Sequence, residues 1–177
     1  MNNIQRLTIA LVALTGSLSP LIAANPAASA TIDVELVAPL SMAKSADMQF
    51  GRVSMGGAGT GILVLGVDGS VQTTNIYASQ SSSGATPAAA VFSVSGLDGA
   101  NYTVLLPSSP VALTKVGSTE TLNVSDFTVK LASKVAGTLI GAIGSDNSFA
   151  VGATLTIPQT QTEGRYQGTF PVSISYN

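Results

Sequence analysis

With no His and no Cys, the side chains left for chemistry are 9 carboxylates, 7 cations and a supply of hydroxyls. Thiolate or imidazole zinc sites, a Ser-His-Asp triad and a Cys-His dyad are all excluded. The carboxylates are Asp33, Glu35, Asp47, Asp68, Asp98, Glu120, Asp126, Asp146 and Glu163. A glycosidase needs two of them across a cleft. Most fall instead in predicted turns, where Asp is favoured for its bonds to the backbone. Asp146-Asn147 could touch calcium, but no D-x-D-x-D-G ladder accompanies them. Gly56-Gly57-Ala58-Gly59-Thr60-Gly61 lacks the Lys of a phosphate loop and a following helix, so it reads as a plain loop. Asn101-Tyr102-Thr103 and Asn123-Val124-Ser125 match the glycosylation sequon, yet both lie on predicted strands and read as chance matches. The sequence therefore points to no catalytic residue, no metal and no cofactor, and not to an enzyme.

Seven scattered basic residues make no phosphate-neutralising stripe, so nucleic acid is not an expected partner. The charged fraction is 9%, against about 25% in ordinary soluble domains. Hydrophobic residues are 45%, too many for a disordered chain. A total of 18 Gly, with abundant Ser, Thr, Ala and Val, fits a β-rich, turn-rich domain outside the cytoplasm.

The N-terminus agrees. Arg6 precedes an apolar run, Leu7 and Ile9 to Leu14, then Leu18, Leu21 and Ile22. Small residues follow, Ala23-Ala24-Asn25-Pro26-Ala27-Ala28-Ser29-Ala30. That order predicts a secretory signal peptide over 1–30, cut after Ala30, with a cut after Ala23 or Ala24 as the alternative. Gly16, Ser17, Ser19 and Pro20 interrupt the run, which is also too short for an anchor. No later stretch could span a bilayer, so no transmembrane segment is expected after processing. The mature chain is expected outside the cytoplasm without a disulfide.

Strand signals then follow one another. Ile32, Val34, Leu36 and Ala38 share one parity over Thr31 to Ala38, a strand with one buried face, ended by Pro39. Met48 to Val53 predicts a short strand. Thr60 to Val67 is a continuous apolar run that reads as a strand buried on both faces. Asp68-Gly69 predicts a tight hairpin into Ser70 to Thr74. Residues 78–88 read as a long surface loop. Val91 to Ser95 predicts a strand with Phe92 and Val94 inward, and Leu97-Asp98-Gly99-Ala100 a turn. Tyr102, Val104 and Leu106 alternate next. Leu122 and Val124 have even parity but Phe127, Val129 and Leu131 odd, which predicts a bulge or turn at Ser125-Asp126. Phe149 to Ile157 alternates until Pro158. In the final run Tyr166, Gly168, Phe170, Val172, Ile174 and Tyr176 face one way. Val135 to Ile143 is a weak helix candidate. About eight or nine strands with short turns predict an all-β fold, a β-sandwich of immunoglobulin-like type.

The chain opens on an isolated amphipathic strand and stops at Tyr176-Asn177 still in strand register. A sandwich short of one edge strand leaves an apolar groove and an open row of backbone groups. A strand from a neighbouring copy could fill it. Folding back of Thr31 to Ala38 into its own sandwich is the alternative, and the residues leave both open.

The chain resembles the bacterial DUF4402 group. The matching pieces are Met48 to Val53, Phe92 to Gly96, Tyr102 to Pro107, Phe149 to Leu155 and Gly164 to Asn177. The ending also resembles the last strand of spore-coat-U-like and archaic chaperone–usher pilins, though the Cys pair common there is absent. Pro171 inside that strand removes a donor and implies an edge or a bulge. The resemblance implies three parts: 1–30 signal peptide, 31–40 candidate donor strand, 41–177 sandwich. It implies Ile32, Val34, Leu36 and Ala38 as donor side chains, and Phe170, Val172, Ile174 and Tyr176 as lining of the acceptor groove. The implied function is a secreted structural subunit of a fimbrium or pilus, a homopolymer built by donor-strand complementation and serving adhesion. Neighbouring copies would be its partners, with a periplasmic chaperone and an outer-membrane usher on the way to the cell surface. The alternatives are a monomeric, self-complete envelope or secreted binding domain, and a carbohydrate-binding protein.

Overall fold

The structure is a computed structural model that describes residues 28–79, 86–132, 140–144 and 147–177. The expected signal peptide therefore lies almost wholly outside the described residues, as do Asp146 and most of the weak helix candidate. The chain divides into Met1–Glu35 and Leu36–Asn177. In the first unit the described residues, 28–35, carry no helix or strand. The expected strand over Thr31 to Ala38 forms no ladder in the single chain. Alternation gives a strand its faces, but only a partner gives it hydrogen bonds.

The second unit is all-β, as expected, and antiparallel throughout, with no helix among the described residues. Its strands are β1 (Ser41–Ala46), β2 (Arg52–Met55), β3 (Gly61–Leu65), β4 (Val71–Thr74), β5 (Ile76–Ser79), β6 (Ala90–Ser95) and β7 (Asn101–Leu105). They continue as β8 (Val111–Lys115), β9 (Thr121–Leu131), β10 (Ile140–Ala142), β11 (Ser148–Ile157), β12 (Tyr166–Gln167) and β13 (Ser173–Tyr176). The main sheet runs β1-β6-β11-β9-β8-β12, with β3 also on β11 and β4 on β3. A second sheet runs β10-β7-β13, and β2 pairs β5 alone. Residues 140–142 are thus strand, not helix. Short β-branched and small residues there suit a pleated surface better than a helix that Gly141 would weaken.

β11 organises the main sheet. One edge pairs β9; along the other, β6 takes Ser148 to Val151 and β3 takes Ala153 to Ile157. Gly152 sits at the change of partner. A Cβ there would run into the Leu65 carbonyl oxygen, so only glycine lets the end of β3 pass. The predicted bulge is present. Thr154 pairs Ser125 and Gly152 pairs Thr128, so Asp126 and Phe127 face one residue of β11. Asp126 takes a positive φ of 50° to make the extra step. The step keeps Val124 and Val129 on the same inner face despite their opposite parity.

Two apolar clusters result. One gathers Leu63, Leu65, Ile76, Leu122, Val124, Ala153, Leu155 and Ile157. The other gathers Ala90, Phe92, Val94, Tyr102, Leu131, Ile143, Phe149 and Val151. β3 corrects one expectation: Leu63 and Leu65 are buried, but Ile62 and Val64 keep more than a third of their surface in water. A neighbouring sheet covers only one face of that strand, and exposed β-branched residues are tolerated singly on a pleated surface. The Asp68-Gly69 hairpin is as expected, with Ser70 N donating to Asp68 Oδ1 at 3.0 Å.

Tyr102 is completely buried, and burial raises its phenol above the ordinary value. Its hydroxyl has no hydrogen-bond partner among the described residues. An unpaired buried hydroxyl costs about 1–3 kcal/mol. Tyr102→Phe is therefore expected to hold or raise the melting temperature, by about 2–4 °C per kcal/mol recovered. A clear loss of stability in a thermal melt would show that the hydroxyl is satisfied.

Candidate functional site

The residues singled out by alternation fall into two sets. Ile32 and Val34 are 95% and 86% exposed, and Leu36 is 97% exposed. Ala38 is exposed as well, and its carbonyl accepts the Tyr176 hydroxyl at 2.9 Å. No ladder includes residues 31–40.

The second set, Phe170, Val172, Ile174 and Tyr176, is half-buried and packs against the second apolar cluster. The Phe170 ring lies 5.1 Å from Phe127 and meets Phe92 edge-on at 6.4 Å. Tyr176 is fixed at its tip, where the Leu97 amide donates to the hydroxyl at 2.8 Å. The inward alternation of the final run is present, but the run is not one strand. Tyr166–Gln167 joins β8 in the main sheet, and Ser173–Tyr176 joins β7 in the second. Between them Pro171 offers no donor, and the chain leaves one sheet for the other. β13 pairs β7 on one edge and has no partner on its other edge among the described residues.

The carboxylates do local structural work. Asp68 is held below the usual carboxylate range by Ser70, which bonds it through both side chain and backbone. Asp47 pairs Lys44. Glu120 is also lowered, by the Thr162 hydroxyl first and by Lys115 next. Lys115 Nζ reaches Glu120 Oε2 at 3.1 Å and Thr162 Oγ1 at 2.6 Å. Tyr166 closes the group, donating to the Thr162 carbonyl at 2.8 Å and accepting from Gln161 Nε2 at 2.6 Å. Sequence reading missed this cluster, because its members lie on β8, its hairpin, the strand-free stretch before β12 and the first residue of β12. Among the described residues no three His, Cys, Asp or Glu side chains gather as a metal site would require. Two shallow hollows are present, about 260 Å³ beside Phe149 and Lys130, and about 500 Å³ between Pro107–Pro110 and the Asp126 bulge. Both are open to solvent and small or polar for a ligand pocket.

No curated protein and no solved structure matches the chain. The model of a domain of unknown function, DUF4402, matches residues 40–176. It begins just before β1, leaves the exposed segment 31–39 outside, and runs to the last residue of β13. The chain thus belongs to the DUF4402 family.

Proposed function

We propose that the chain is an exported structural subunit of a surface fibre, in which residues 31–38 of one copy add a strand to the next. The observation that carries this reading is the near-complete exposure of Ile32, Val34 and Leu36 at strand spacing, in a segment that forms no ladder. Alternate apolar side chains give an added strand its register, and backbone bonds give it affinity. Burying each of the three is worth about 1.5–3 kcal/mol. β13 supplies an acceptor, since among the described residues it bonds on one edge only, and it carries the half-buried Ile174 and Tyr176, with Val172 just before it. A periplasmic chaperone and an outer-membrane usher would hold the subunit until a neighbour does.

One contact supports a second reading, the self-complete monomer. The Tyr176 hydroxyl already bonds the Ala38 carbonyl of its own chain. A thermal melt of a chain that starts at residue 41, with a 31–40 peptide added in trans, tests whether this segment completes the domain at all, from its own copy or from a neighbour. A peptide that binds only the folded domain stabilises it by about 2.7 kcal/mol at a hundred times its Kd, or about 5–10 °C. No shift at saturating peptide would count against strand donation. Size-exclusion chromatography of the mature chain then distinguishes polymers from a single monomer.

A further inference from the structure

The β2–β5 ladder carries a surface that fibre assembly does not use. Its register sets Ser54 opposite Tyr77 and Arg52 opposite Ser79. Val53 and Met55 pack on the first cluster and Ile76 is buried, so Arg52, Ser54 and Tyr77 share the outer face. Tyr77 is 69% exposed, the most exposed aromatic side chain among the described residues.

The ring is nonetheless held in place. A Cβ built on Gly56 would lie 2.9 Å from Tyr77 Cε2, 3.2 Å from Cδ2 and 3.3 Å from Cζ. Three consecutive ring atoms at nearly one distance, with the middle one nearest, place that point above the face of the ring. A point in the ring plane would leave the outer two atoms much farther away. One face of Tyr77 therefore lies flat on the Gly56 backbone, and its exposure belongs to the other face. The Gly56 amide donates to the Asn75 carbonyl at 2.9 Å, which fixes the floor under the ring.

Arg52 is exposed and forms no ion pair among the described residues, whereas Lys44 and Lys115 both do. It stands diagonal to Tyr77 across the ladder, a step of about 7–8 Å. An extended Arg side chain is long enough to span that step to the margin of the ring, and Ser54 stands on the same face. A rigid aromatic plane open on one side suits the C–H face of a pyranose. A guanidinium beside it suits a carboxylate, which it grips through two parallel N–H bonds. We infer that the β2–β5 face binds acidic glycans, with a uronate ring stacked on Tyr77 and its carboxylate on Arg52. A neutral sugar can use the ring but leaves Arg52 unanswered, so the site discriminates by charge.

The test is calorimetric titration of the mature chain with a galacturonate trisaccharide and with its methyl ester. The acid is expected to bind about tenfold tighter than the ester, the worth of one charge-assisted pair. Arg52→Gln is expected to bring the acid down to the level of the ester. Tyr77→Phe retains binding of both, because the π-face remains. Tyr77→Leu, which still covers Gly56 with apolar atoms, loses both. If Tyr77→Leu proves unfolded in a thermal melt, Arg52→Gln and Tyr77→Phe still decide. Equal binding of acid and ester, an affinity for the acid indifferent to Arg52→Gln, or no binding of either sugar would overturn the assignment. None of these substitutions touches residues 31–38 or β13, so assembly is expected to continue in every variant.

Discussion

Val34→Asp is expected to abolish fibres and, mixed into wild type, to stop their growth. Val34 is the middle of the three exposed side chains and is 86% exposed in the single chain. It also lies outside residues 40–176, the extent of the family domain. The folded domain should therefore melt as wild type does. The damage appears only when the strand is donated, because an unpaired carboxylate must then enter an apolar groove at a cost of several kcal/mol. Every 1.4 kcal/mol is tenfold in affinity, so donation should fall by a factor in the hundreds or more. The mutant can still accept a strand, so it caps growing ends. Fibre length measured by electron microscopy should drop steeply with mutant fraction. A self-completing monomer gives a different result, since the substitution then harms only its own molecule. Wild-type assembly unaffected at an equal amount of mutant would defeat strand donation.

Period-two patterning revealed what depends on faces and little that depends on partners. The bulge at Ser125-Asp126 was legible because one buried face runs the length of β9, and a slip in phase there has one remedy, an extra residue. The Asp68-Gly69 hairpin was legible because turn chemistry is local. The run from Tyr166 to Tyr176 kept its parity across two different sheets, so alternation could not show that it changes partner. β3 reads as apolar throughout, but hydrophobicity alone does not say whether a second layer covers Ile62 and Val64. β1 and β8 were missed for the opposite reason. Ser41 to Ala46 is a mostly exposed edge of Ser, Ala, Met and Lys with no apolar alternation, and Val111 to Lys115 is short and weakly buried.

The candidate sites divide in the same way. Ile32, Val34 and Leu36 stand out in the sequence because apolar alternation without a nearby turn or partner is conspicuous. Their exposure in the structure is the part no pattern could supply. Tyr77 is invisible to pattern, since one tyrosine beside a strand end has no period. Its significance rests on Gly56, a residue 21 positions earlier that only the β2–β5 register brings beneath it. Arg52 is one of 7 cations in the chain, and among the described residues it forms no ion pair and shares a face with an exposed aromatic ring.

Phe149→Ala is expected to be the most damaging single truncation in the domain. The ring is 1% exposed, stacks on Phe92 at 5.1 Å with an interplanar angle of 19°, and pairs Leu131 across the ladder. Truncating a buried Phe to Ala costs about 3–5 kcal/mol, through lost transfer energy and the cavity left behind. β11 is bonded on both edges at this point, by β6 and β9, so the site cannot collapse to fill the void. Phe170→Ala should cost less, because Phe170 is only half-buried and sits where the chain leaves one sheet for the other. Denaturant unfolding of both variants measures the difference, and a double-mutant cycle of Phe92 with Phe149 isolates the stacking term, about 0.5–1.5 kcal/mol. A loss under about 1 kcal/mol for Phe149→Ala would mean that the second cluster is not packed as described. The variant also bears on assembly from the side opposite to Val34. Phe170, Val172, Ile174 and Tyr176 rest on the cluster that Phe149 anchors. Phe149→Ala should therefore weaken strand acceptance while leaving residues 31–38 able to donate. Val34→Asp and Phe149→Ala chains, neither expected to polymerise alone, should then form short pairs when mixed, in which the Phe149 variant donates and the Val34 variant accepts.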